Sequence, residues 1–139
     1  MTYYSLKTFL LLILLVSLPL FKGFSQSTAK VRFDGLYQSN EIALGVSGYI
    51  RFYPDSLVLK VYSTGSFEKV SKWLIRPYES DGKYRIINNE IYIETIHHTD
   101  REYPGLTITS EGTINSEFEI ILKGSGGGSE DLTYHFRKF

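Results

Sequence analysis

The chain contains no cysteine, one methionine, one tryptophan and four prolines in 139 residues, and its 15 Lys and Arg balance 15 Asp and Glu. Each shortage excludes something. Without thiols there is no disulfide framework, no thiolate nucleophile and no acylated cysteine to anchor an exported chain. Without an excess of cations no basic field can hold a phosphate backbone, so no nucleic-acid partner is expected. The longest apolar run, Thr8 to Phe21, spans 14 residues and falls short of the roughly 20 that a membrane-crossing helix requires.

That run has the form of a secretory signal. Lys7 precedes it, Pro19 lies near its end, and Gly23-Phe24-Ser25 supplies small residues at positions −3 and −1 to a cut before Gln26. The sequence therefore predicts a signal peptide over 1–25, export to the periplasm or the medium, and no stable membrane anchor. The remaining 26–139 would hold 13 cations against 15 anions in 114 residues, a single domain large enough for one core without covalent help.

The exported part reads as a series of hairpins. Alternating large side chains begin at Phe33 to Tyr37, with Gln38 to Val46 as a mixed loop. Tyr49 to Tyr53 and Leu57 to Tyr62 are β-rich runs joined by Pro54-Asp55-Ser56, where proline pre-sets one turn dihedral and aspartate can bond the backbone ahead of it. Phe67, Val70, Trp73 and Leu74 recur at helical spacing behind Ser66 as N-cap, with Pro77 beyond. One short amphipathic helix is predicted there, able to lay Trp73 over an opening or an edge of the sheet. Strands return at Lys83 to Ile87, Glu90 to Ile96, Leu106 to Ile114, Glu117 to Lys123 and Leu132 to Arg137, with turns at Asn88-Asn89 and Asn115-Ser116. Gly124 to Ser129 has no side chain large enough to pack and reads as a flexible tip.

Eight antiparallel strands in one open sheet would leave two long edges, and closing the first strand onto the last removes them. The predicted fold is thus all-β: an eight-stranded up-and-down barrel with one short helix. A two-sheet sandwich is the alternative. Alternation places Leu57, Leu59 and Val61, Ile91, Ile93 and Thr95, Phe118, Ile120 and Leu122, and Leu132, Tyr134 and Phe136 toward the core. Lys60, Glu94, Glu119, Thr133 and Arg137 form the solvated outer wall.

Several short segments resemble the calycins, the superfamily that includes the lipocalins. Gly35-Leu36-Tyr37 is similar to the Gly-x-aromatic opening of a lipocalin first strand, with tyrosine where tryptophan is usual. Arg137 stands where that superfamily often has a basic residue covering the closed end. Gly48 to Ser56, followed by an apolar strand, a helix and Gly82-Lys83-Tyr84, resembles a block in small calycin-like barrels, including the C-terminal region of some F-box proteins, although no F-box segment is present. The resemblance implies a calycin-like barrel and, with it, binding of a small apolar molecule or a protein partner.

Catalytic chemistry finds little footing. His97-His98-Thr99-Asp100-Arg101-Glu102 gathers two histidines and two carboxylates, but neighbours on an extended backbone point to opposite sides, so no metal site is expected. No serine lies in a Gly-x-Ser-x-Gly elbow, and the glycine run lacks the lysine and helix of a phosphate loop. No catalytic residue and no cofactor is predicted. Aromatics are more informative, since 16 of the 114 exported residues are Phe, Tyr or Trp. Most would fill a core. Tyr37, Phe52, Trp73 and Tyr84 are the predicted ligand-binding residues, in a secreted, non-catalytic binder whose mouth the helix partly covers. In the alternative the barrel is filled, and the protein acts as an envelope-associated interaction domain through its outer face.

Overall fold

A computed structural model describes residues 29–75, 82–97, 105–124 and 130–139, and everything structural below concerns these. The predicted signal segment, His98 to Glu102 and Ser125 to Ser129 lie outside them. Eight strands form one antiparallel sheet: β1 (Gly35–Ala43), β2 (Val46–Phe52), β3 (Val58–Ser63), β4 (Gly82–Ile87), β5 (Glu90–His97), β6 (Leu106–Ser116), β7 (Glu119–Leu122) and β8 (Leu132–Lys138). One helix, α1 (Phe67–Trp73), lies between β3 and β4. The order across the sheet is β3-β2-β1-β8-β7-β6-β5-β4, so the first strand pairs with the last, from Gly35 opposite Lys138 to Ser39 opposite Tyr134. That pairing makes a nearly closed barrel and rules out the sandwich.

The seam runs between β3 and β4. It is held by one bridge, Leu57 to Lys83, by a backbone bond from the Tyr84 N–H to the Ser56 carbonyl at 2.9 Å, and by the Tyr84 hydroxyl donating to the Tyr53 carbonyl at 3.0 Å. Beyond this staple the upper part of β3 has no partner strand on that side among the described residues.

Turn chemistry accounts for most hairpins. Ser56 and Asn88 adopt positive φ of 63° and 60° in the β2–β3 and β4–β5 turns, where the sequence places turns. Between β1 and β2 the prediction fails, because the stretch read as a loop is strand as far as Ala43. The chain then reverses at Leu44-Gly45, both with positive φ (49° and 78°). Leucine rarely adopts that conformation, so the pair carries no turn signal. The β6–β7 turn falls at Glu117-Phe118 rather than Asn115-Ser116, after a register shift beyond Ile114. Phe118 therefore sits in the turn, half exposed, instead of facing the core.

Two apolar clusters lie on opposite faces of the sheet. Tyr37, Ile50, Phe52, Val58, Ile91, Ile93, Ile114, Ile120, Leu122 and Tyr134 pack together inside the barrel, as the alternation of β5, β7 and β8 predicts. Outside, Leu36 and Tyr49 meet Phe67 and Val70 of α1 and Leu74 at its C-terminal cap, with Leu59 and Val61 against them. The face assignment of β3 is thus corrected by one residue: Leu59 and Val61 point out to the helix, while Val58 and Lys60 point in. A shift of one residue exchanges every side chain between faces. The strand is apolar on both sides because the helix covers its outer one.

Ser66 precedes α1 but makes no side-chain cap. The helix is held by other means. Arg51 donates to the Leu74 carbonyl at 2.6 Å and so satisfies an orphan carbonyl at the helix end. The Tyr49 hydroxyl donates to the Gly65 carbonyl at 2.7 Å, at the helix start.

Candidate ligand-binding site

The barrel has two unlike ends. At one, β1 begins and β8 finishes, and the chain segments joining strands are tight turns. At the other, β3, β5 and β7 end and β4, β6 and β8 begin, separated in the chain by 64–81, 98–105 and 123–131.

The tight end is shut from below by the segment that leads into β1. Val31 is buried in the inner core, and Arg32 lies over the Phe136 and Phe118 rings with its guanidinium carbon 4.6 and 5.1 Å from their centroids. Tyr37 is the hub. Its hydroxyl accepts from the Arg32 N–H at 2.9 Å and donates to the Glu117 carbonyl at 2.7 Å, tying the leader to the β6–β7 turn. Its ring meets Phe52 and Phe136 edge-on at 5.5 and 5.3 Å. Burial pushes its hydroxyl pKa up to about 12. Arg32 in turn donates two bonds to Asp34, at 3.0 and 2.7 Å, and this pairing holds the aspartate below its ordinary value.

A basic residue does cover this end, but it is Arg32. Arg137, the candidate from the resemblance, points outward, with its guanidinium 4.2 Å from the Phe67 ring and a 2.8 Å bond to Gln38. It helps seat α1.

Of the predicted ligand-binding residues, Tyr37, Phe52 and Tyr84 come together inside the barrel. Phe52 stands between the other two, 4.9 Å from the Tyr84 ring and fully buried like Tyr37. Tyr84 is half-buried, and burial raises its hydroxyl pKa. Trp73 is not with them. It lies on α1, whose buried stripe rests on the outer wall, and is 52% exposed.

Comparison of this chain with family models, curated proteins and solved structures finds no match. The architecture is compatible with a calycin-like fold, and that statement rests on the barrel alone.

Above the packed core the inward positions change character. Ser39, Lys60, Thr95 and Ser110 are all buried, and the Lys60 ammonium reaches from β3 to β6 to donate to Ser110 Oγ at 2.8 Å. The ammonium also lies 5.5 Å from the Tyr62 ring centroid. Nearer the rim, the inward-facing Tyr62, Ile108 and Leu106 are 40%, 38% and 63% exposed. Gly48 belongs to the same band: a Cβ there would come within 2.6 Å of the Tyr134 hydroxyl, so glycine makes room for that ring to reach over β1 from β8 to β2.

Sequence reasoning missed Lys60, having placed it on the solvated wall. A signal was available, since α1 needs an apolar landing on β3 and only Leu59 and Val61 supply it. That choice turns Lys60 inward.

A groove of about 430 Å³ runs along β4, β5 and β6, lined by the outward-facing Lys83, Arg85, Tyr92, Glu94, Thr109 and Glu111 together with Tyr84, Ile93 and Ser110. Its charges segregate by strand, with the cations Lys83 and Arg85 on β4 and the carboxylates Glu94 and Glu111 on β5 and β6, and Lys83 stands opposite Glu94. Among the described residues, no group of three or more His, Asp or Glu could hold a metal ion. His135 is exposed on the outer face, 3.6 Å from a Glu119 oxygen.

Proposed function

We propose that this protein is a secreted, non-catalytic, lipocalin-like binding protein that takes a small, partly apolar molecule through the end carrying the long connections. The observation that carries this reading is the exposure of the inward-facing Tyr62 and Ile108, since side chains on the inside of a filled barrel would be buried. The packed Tyr37–Phe52–Tyr84 row then acts as the floor beneath the ligand, and of the three only the half-buried Tyr84 is open to contact it. Export follows from the N-terminal signal pattern. Among the described residues no helix is long and apolar enough to cross a membrane.

Thermal unfolding in the presence of fatty alcohols, retinoids and haem tests the reading, because a ligand that binds only the folded state raises the melting temperature by mass action. A concentration-dependent rise with at least one class is expected, and no rise with any would overturn it. Trp73 serves as an internal control: being on the outer wall, its emission should stay unchanged when the interior is occupied.

The outer groove favours a second reading, an interaction domain whose filled core supports a recognition face on β4 to β6. Ligands that raise the melting temperature equally in the wild type and in a Tyr92→Ala variant would count against that alternative.

A further inference from the structure

We infer that Lys60 and Ser110 form an anion seat inside the barrel, and that the molecule bound there is a small carboxylate that enters head-first and leaves its apolar part at the rim. The inference rests on the binding reading above and specifies its ligand.

Three observations support it. Lys60 is only 8% exposed, and its ammonium has a neutral hydroxyl and a ring face as partners. No carboxylate ion-paired to it occurs among the described residues. Burying an ammonium without a counter-charge is costly, and buried charges are ordinarily paired. A carboxylate is the planar acceptor that both the ammonium and, after a small rotation, the Ser110 hydroxyl can serve.

Depth sets the size. Lys60 pairs across the ladder with the fully buried Ile50 and stands two residues from the fully buried Val58, so the packed core begins directly below it. A long chain has no room beneath the ammonium. Above it the exposed Tyr62, Ile108 and Leu106 offer an apolar collar, which suits a short alkyl or aromatic group pointing outward. The order is therefore charge at the bottom and apolar surface at the top.

Calorimetric titration of the purified protein with hexanoate, 1-hexanol and hexylammonium separates the terms. Hexanoate should bind at least about ten-fold more tightly than 1-hexanol, with hexylammonium weakest, and extending the acid to palmitate should add little once the collar is covered. In Lys60→Met, which keeps most of the length of the side chain, the preference for hexanoate over 1-hexanol should vanish while 1-hexanol binding is retained. A second readout is independent of the variant: the Lys60 Cε resonance should shift on adding hexanoate and not on adding 1-hexanol.

Equal affinity for hexanoate and 1-hexanol in the wild type would overturn the anion seat but leave the binding function standing. So would a Lys60 resonance indifferent to hexanoate. If neither compound binds and the wider panel of apolar ligands also fails, the binding function falls and the anion seat falls with it.

Discussion

The two ends of the barrel interior are built on opposite terms. At the tight end, Tyr37, Phe52, Phe136 and their neighbours satisfy themselves: rings meet edge-on, and the Tyr37 hydroxyl is bonded on both sides. At the far end a buried cation leans on a serine, and apolar side chains that face inward remain open to solvent. Folding is served by the first arrangement. The second contributes little to it and makes sense as provision for something that arrives later. In a protein of marginal stability, polar groups held inside without full partners are expected where function requires them.

If that contrast is right, truncation should be severe at one end and mild at the other. Phe52→Ala removes the ring that links Tyr37 to Tyr84 and should destabilise the fold by about 3–5 kcal/mol through lost burial and the cavity left behind. Ile108→Ala, on an equally inward position at the rim, should change stability by less than about 1 kcal/mol. Denaturant melts of the two variants give the ratio directly, and comparable losses would mean that the mouth is as tightly built as the floor.

A smaller effect is expected at the hub. Tyr37→Phe keeps the ring but strands the Arg32 N–H and the Glu117 carbonyl, so a loss of about 1–3 kcal/mol should follow. The pH dependence sharpens the test. The folded-state pKa of Tyr37 is raised from an ordinary 10 to about 12, so the folded chain holds this proton more tightly than the unfolded chain does. Stability from this group is fully present below pH 10 and drains away as pH rises toward 12, on the order of 2–3 kcal/mol in all. Burial also raises Tyr49 and Tyr84, which add to the same alkaline limb. Tyr37→Phe should make that limb shallower, and an unchanged slope between pH 10 and 12 would show that the phenol is not held as described.

Much of the tight end is legible in the sequence, and much of the mouth is not. Ile91-x-Ile93 and Tyr134-x-Phe136 alternate against polar neighbours, and a strand with one wet face reveals its inner face. Closure of β1 onto β8 follows from the number of strands and the cost of open edges. Where a third layer intervenes, the signal fades. The helix dries the outer face of β3, so Leu57 to Val61 reads as apolar on either phase, and the single charge in it looks like the solvent side. Arg32 escaped notice for a related reason. It lies outside any periodic segment, just ahead of Phe33, and only the tertiary fold brings it beneath Phe136 and Phe118. Single side chains that cross a barrel leave no pattern in the chain.

The smallest expected effect is also the one that decides what Lys60 is for. Lys60→Met exchanges a buried ammonium for an apolar chain of similar length, which relieves the desolvation of the charge and leaves Ser110 Oγ without its donor. These contributions oppose each other, and replacing buried charges by apolar groups of matching shape is commonly neutral or favourable. The melting free energy should therefore stay within about 1 kcal/mol of the wild type. A loss as large as that expected for Tyr37→Phe would make the Lys60–Ser110 contact a strut between β3 and β6 that stands in for the missing strand pairing above the seam. Near-neutrality would instead leave the lysine with no structural reason to be inside, and the contrast between a self-satisfied floor and a mouth kept for a ligand would stand on an energetic measurement.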